Sequence, residues 1–188
     1  MSLYAQLDFL GEPVTFVSEK QLAEGRAPKV QWIVLPQATH VTDGTVSALA
    51  KFVRAGGHLL QEGDHNLESD QYHRQRTLPA EIADCAKLTP APSESENAEH
   101  MRGLLQKGDV KMNELTDATT GKRAWGVEFR VAKTGGKNLV SLINLGTAAC
   151  SVRVPVLKGQ AADLLSDEAV ETTNVHLEPM VPRLLVQR

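Results

Sequence analysis

The sequence predicts two small domains of different class: an α/β domain with a parallel sheet over residues 1–108, then an all-β domain, a small antiparallel sandwich, over residues 109–188. Two observations carry this. Up to Gly108, apolar runs of strand length alternate with stripes of helical period, the order expected of a parallel sheet with crossover helices. Beyond it the apolar period becomes two, as in strands with one buried face.

The elements follow in order. Leu3, Leu7 and Leu10 recur at helical spacing and Gly11 follows as a C-terminal cap. No start signal precedes them beyond Ser2, so Met1-Ser2-Leu3 reads as part of an added leader, and the helix as one cut from a longer chain. Val14 to Val17 is a short β-branched and aromatic run, predicting a strand. Ser18 and Gln21 have capping-box spacing, so a helix starts there. Val30 to Leu35, ended by Pro36, predicts a buried parallel strand. Thr42 or Asp43 caps a helix with the apolar face Val46, Leu49, Ala50 and Val53, closed by Gly56-Gly57. His58 to Gln61 gives the next strand, with Glu62, Gly63, Asp64 and His65 just past its carboxyl end. A short helix over Pro79 to Cys85 and a strand at Lys87 to Thr89 follow, then a stripe of Ala98, Met101, Leu104 and Leu105 that stops at Gly108.

In the second half Val127, Phe129 and Val131 alternate with Glu128 and Arg130, and Val152, Val154 and Val156 with Arg153 and Pro155. Gly135-Gly136 before the run Asn138 to Leu145 signals a hairpin. Further strands are expected at Ala161 to Leu165, Asn174 to Leu177 and Arg183 to Gln187, forming a sandwich or a partly open barrel.

Composition narrows the function classes. Hydrophobic residues at 41% and charged residues at 23% suit a globular protein with a real core. Lys+Arg 20 against Asp+Glu 23 gives a net charge of -3 without a basic stripe, which argues against nucleic acid. No apolar run approaches the roughly 20 residues of a membrane span. The compartment stays open, with a soluble, cytoplasmic setting favoured. Cys85 and Cys150 fall in different predicted domains without a CxxC partner and read as free, buried thiols.

In an open parallel sheet ligands bind outside the carboxyl strand ends, so Glu62, Asp64 and His65 are the best-placed polar cluster. With Asp70 and His73 they invite a metal reading, but their spacing matches no strong metal motif and solvated loop residues are the plainer account. No metal and no cofactor is therefore assigned. His40 either binds a ligand or caps its loop. Cys85 has no neighbouring base to make it a nucleophile. Gly56-Gly57 ends a helix, whereas phosphate cradles open one. Asp43 and Glu62 have no spacing that recommends them as an acid and base pair. Trp32 and Trp125 lie in strand patterns and read as core or interface rather than sugar platforms. No catalytic residue is assigned.

The segment from Leu7 to Gly63, carrying LDFLGEPVTFVSEKQL, WIVLPQATHVTD and AGGHLL, resembles the amidotransferase-like middle domain of family 42 β-galactosidases and related glycoside hydrolases. WGVEFR (Trp125 to Arg130), LVSLINL (Leu139 to Leu145), DLLSDE (Asp163 to Glu168) and LEPMVPRLLV (Leu177 to Val186) are similar to the small β-sandwich that closes many such hydrolases. The resemblance implies a flavodoxin-like, class I amidotransferase-like domain followed by that sandwich. It also implies a place after a catalytic (β/α)8 barrel of the parent chain, and a homo-oligomer, a trimer. No cysteine occurs between Met1 and Asp84, so the amidotransferase nucleophile has no counterpart there. The two barrel glutamates have none either, since a barrel takes about 250 residues. The expected function is a non-catalytic accessory and oligomerisation region of a β-galactosidase-like glycoside hydrolase. The alternatives are a carbohydrate- or small-ligand-binding module, and a small independent hydrolase using Glu62, Asp64 and His65.

Overall fold

The computed structural model describes residues 3–11, 13–89, 91, 93–108, 110 and 112–187. The chain forms two compact units, Thr15–Val110 on one side and Met1–Val14 with Lys111–Arg188 on the other. The sequence groups residues 1–14 with the α/β part; in the structure they cluster with the β-rich part. Met1 and Ser2 of the predicted leader lie outside the described residues, whereas Leu3 opens the first helix.

In the unit Thr15–Val110, the helix after Ser18 is α2 (Glu19–Ala23), opened by the predicted capping box: Ser18 accepts from the Gln21 N–H, and the Gln21 side chain accepts from the Ser18 N–H. Three parallel strands follow in the order β1 (Trp32–Pro36), β2 (His58–Glu62) and β3 (Ala86–Leu88). Their crossovers carry α3 (Asp43–Arg54) and α4 (Ala80–Ala83), and α5 (Glu94–Lys107) lies against β3. Thr42 caps α3 by accepting from the Thr45 N–H at 3.2 Å, and Val46, Leu49 and Ala50 are buried as the stripe predicts. They join Ile33, Leu35, Leu59, Leu67 and Ile82 in one apolar cluster.

Val14 to Val17 is not a strand. Phe16 is 78% exposed. β-branched content alone does not make a strand where the side chains are not packed on a half-buried surface.

In the other unit, α1 (Leu3–Phe9) ends as predicted at Gly11, which adopts φ +75° and donates its N–H to the Asp8 carbonyl at 2.9 Å. A five-stranded antiparallel sheet runs in the order β5 (Val127–Thr134), β6 (Lys137–Asn144), β11 (Arg183–Gln187), β8 (Gln160–Asp163), β9 (Ala169–Glu171). A three-stranded one runs β10 (Val175–Leu177), β7 (Cys150–Arg153), β4 (Thr116–Asp117). Both sheets supply one apolar cluster, with Phe129, Leu142 and Leu185 from the first and Val152, Val175 and Leu177 from the second. The Gly135-Gly136 turn joins β5 to β6 with both residues at positive φ, the conformation a two-residue hairpin turn requires. β7 stops at Arg153, earlier than the alternation to Val156 suggests, because Pro155 cannot donate to a ladder. The strands β4 and β9 carry no sequence signal of their own.

The Asp8 carboxylate pairs with Arg130 on β5, and Gly11 lies against the Phe129 ring, which accounts for α1 clustering with the β-rich unit. A Cβ at Gly11 overlaps that ring and also forces a side chain into positive φ, whereas Gly121, at φ +69°, has nothing within 4 Å. Gly11→Ala is expected to destabilise by about 2–4 kcal/mol, summing the left-handed cost and overpacking. Gly121→Ala is expected to cost only about 1–2 kcal/mol. Urea unfolding of the two variants checks the difference.

Candidate functional site

Past the carboxyl end of β2 the chain turns at Gly63, φ +81°, and runs through Asp64 and His65 to Asn66. Glu62 is half-buried, while Asp64 and His65 are exposed. His65 turns to Glu68, with Nδ1 at 3.2 Å from the carboxylate, rather than joining Glu62 or Asp64. Among the described residues, no three His, Cys, Asp or Glu side chains converge as metal ligands. The imagined grouping of Glu62, Asp64 and His65 with Asp70 and His73 is thus not assembled: His73 meets His40 instead, Nδ1 to Nε2 at 2.8 Å.

What organises this end of the sheet is Asn66, only 3% exposed. Its side-chain oxygen accepts from the Ala38 N–H at 2.6 Å, and its amide donates to the carbonyls of Glu62 at 2.7 Å and Gly63 at 3.1 Å. The segments 38–41 and 67–69 then run side by side: Leu67 N–H donates to Ala38, Ser69 N–H to Thr39 and Val41 N–H to Ser69. The loop closes at Asp70, whose carboxylate accepts from the N–H groups of Tyr72 and Arg74 and from the Arg74 guanidinium at 2.7 Å. Burial works against the charged form, but these donors outweigh it and hold the Asp70 carboxyl below its usual range. The Arg74 guanidinium also sits 5.2 Å from the centre of the Tyr72 ring.

The other residues singled out by sequence have structural settings. Asp43 starts α3 and pairs with Arg76 at 3.1 Å, far in role from an acid and base pair with Glu62. The Thr42 N–H, and then the Thr45 hydroxyl, donate to Glu19 at 2.8 Å and pull its carboxyl below the usual range. Trp32 stacks on His58, ring centres 4.7 Å apart, and the Arg123 guanidinium lies 5.6 Å from the centre of the Trp125 ring. Burial pushes both thiols up: Cys85 donates to the Glu81 carbonyl, and Cys150 also feels Asp117. Sequence reasoning missed Asn66, whose role depends on three backbone partners, and the pairing of His40 with His73, which are 33 positions apart.

Comparison with solved structures places this architecture. The apo exo-carrageenase GH42 from Bacteroides ovatus superposes with a TM-score of 0.70 at 20% identity, over 97% of this chain and 25% of its own. A catalytic mutant of Gan42B, a GH42 β-galactosidase from G. stearothermophilus, gives 0.71 at 11% identity, over 98% and 35%. The β-galactosidase from Bacillus circulans sp. alkalophilus gives 0.69 at 10% identity, over 98% and 36%. The chain has the fold of part of a GH42 glycoside hydrolase. It spans about a quarter to a third of the length of these proteins. No family model matches the sequence, and no curated protein matches it.

Two outcomes follow from the loop geometry. Asn66→Ala strands one buried N–H and two carbonyls, and is expected to destabilise by about 2–4 kcal/mol in urea unfolding. Asn66→Asp does no better, since a carboxylate cannot donate to the Glu62 and Gly63 carbonyls. For Asp70, a folded-state value below the unfolded one means that its contribution is present above about pH 4 and is lost as pH falls through the folded value. Asp70→Asn should therefore melt lower than the parent at pH 7, with the gap narrowing below about pH 4. Melting temperatures measured across that range check it.

Proposed function

We propose that this chain is a non-catalytic accessory and oligomerisation region of a β-galactosidase-like glycoside hydrolase, working beside a catalytic (β/α)8 barrel that these 188 residues do not supply. The observation that carries the reading is the shared fold over 97–98% of this chain against 25–36% of GH42 proteins. On this reading the unit Thr15–Val110 is the flavodoxin-like, amidotransferase-like domain that supports trimer formation, and the β-rich unit is the closing sandwich.

Surface chemistry supports an assembly role for the β-rich unit as well. Leu164 and Leu165 follow β8, while Met180 and Val181 precede β11, the strand that pairs with β8; all four are at least half exposed. Apolar side chains of this size grouped on one part of a surface mark contact sites. A permanent contact buries more than about 2,000 Å² in total.

The purified chain is expected to self-associate with rising concentration in sedimentation velocity, and Leu165→Asp with Met180→Asp to shift it toward monomer. Hydrolysis of a nitrophenyl β-galactoside is expected to stay at the blank. A monomer at every concentration, indistinguishable from the double variant, would remove the assembly role. Turnover that disappears in Asp64→Asn would replace the reading with an independent hydrolase.

A further inference from the structure

We propose that His40 and His73 form a two-imidazole chelate for a divalent transition-metal ion that prefers tetragonal coordination, copper(II) foremost. The site lies in the loops beyond the carboxyl ends of β1 and β2 and is independent of the accessory reading.

Three observations lead there. Nε2 of His40 and Nδ1 of His73 stand 2.8 Å apart, with ring centres at 4.4 Å and planes at 72°. For metal–nitrogen bonds of about 2.0–2.1 Å, ligands at a right angle are separated by about 2.8–3.0 Å, and ligands at a tetrahedral angle by about 3.3–3.4 Å. A direct hydrogen bond sets the observed separation; with the rings turned so that both lone pairs face one ion, it matches the square or tetragonal geometry of copper(II) and nickel(II), and copper(II) stands highest in affinity for nitrogen ligands.

The two rings are also held in advance. His40 sits in the segment bridged to Ser69, and Ser69 is bridged in turn to Gln75. His73 donates its backbone N–H to the Asp70 carbonyl at 3.0 Å inside the loop that the Asp70 carboxylate closes. Anchored backbones leave only side-chain rotation to be fixed when an ion binds, which favours chelation over two independent contacts.

Finally, His73 adopts φ +62°, a left-handed conformation that is unfavourable for a non-glycine residue. Such strain is concentrated where a side chain must be delivered to one place. Here the ring is delivered to His40.

Both rings are exposed, so the remaining coordination positions belong to water. The nearest carboxylate in sequence, Asp70, is committed to Arg74 and to backbone N–H groups. Without metal the two nitrogens share one hydrogen bond, one ring donating and the other accepting. Coordination needs both lone pairs, with His40 protonated on Nδ1 and His73 on Nε2. The bridging proton therefore moves through solvent to the outer nitrogen of the ring that carried it, and the ion gives up two waters. The exchange moves one proton within a ring and releases none.

The test titrates copper(II) chloride into the metal-free, untagged chain in a non-coordinating buffer, followed by electron paramagnetic resonance and by thermal melting. One equivalent is expected to bind with splitting from two nitrogens and to raise the melting temperature. His40→Gln and His73→Asn are each expected to weaken binding by at least the roughly 10–100-fold that losing even an orienting partner costs a metal site. His65→Gln should bind like the parent. Asparagine tolerates the left-handed backbone of position 73, and metal-free circular dichroism confirms that each variant is folded. Unchanged binding in either His40→Gln or His73→Asn, or a one-nitrogen signature in the parent, overturns the proposal.

Discussion

The strand-end region of the α/β unit depends on the buried carboxamide of Asn66. It bonds to the chain leaving β1 and to the chain leaving β2, and so satisfies backbone groups that a parallel sheet leaves open where its ladders stop. The β-rich unit uses the same device. Asn144, 3% exposed, donates to the carbonyls of Ala148 and Leu177 and accepts from the Gly146 N–H. A carboxamide suits this work because it carries donors and an acceptor without charge, so its burial needs partners but no counter-ion. The loops that bear Asp64, His65 and His40 take their course from the first of these contacts.

Buried ions do a different job. Asp163, 2% exposed, accepts from the Leu165 and Leu184 N–H groups and pairs with Arg183 at 3.0 Å, tying the end of β8 to the start of β11. Asp8, 4% exposed, pairs with Arg130 and ties α1 to β5. Such pairs add little net stability over apolar packing, because desolvation consumes much of the Coulombic gain, yet losing one partner leaves a buried charge. Their contribution is to specify: each fixes where one element sits against another. The Asp8 pair accounts for α1 belonging with a sheet that starts more than a hundred positions later.

Sequence revealed what is local and periodic. The Ser18 and Thr42 caps, the stripe of α3, the Gly135-Gly136 turn and the alternation of β5 each depend on residues a few positions apart, and each stands in the structure. Val14 to Val17 shows the limit, since a strand needs a partner that the run itself cannot supply. β4 and β9 show the converse: Thr116–Asp117 and Ala169–Glu171 have no apolar alternation and are strands only because β7 and β8 offer them edges. At the candidate site, Glu62, Asp64 and His65 were found by their place after a strand. The Asn66 contacts and the meeting of His40 with His73 were not, because both depend on how two loops lie in space. The resemblance to family 42 proteins was legible in short apolar motifs, while identities of 10–20% show how little of the remaining sequence the fold requires.

The titration behaviour bears on the functional reading through its direction. General-acid catalysis near neutral pH needs a carboxyl group raised above its ordinary range, and thiol nucleophiles need one lowered. The shifts resolved here run the other way. Asp70 and Asp117 are pulled down by N–H and side-chain donors of their own loops and Glu19 by the Thr42 N–H and Thr45 hydroxyl at the start of α3, while Cys85 and Cys150 are pushed up by burial. Carboxylates that accept several local hydrogen bonds are shaping turns and helix starts, and raised thiols are behaving as small apolar side chains. Polar groups placed to hold loops, beside apolar groups left on the surface, suit the accessory role proposed above.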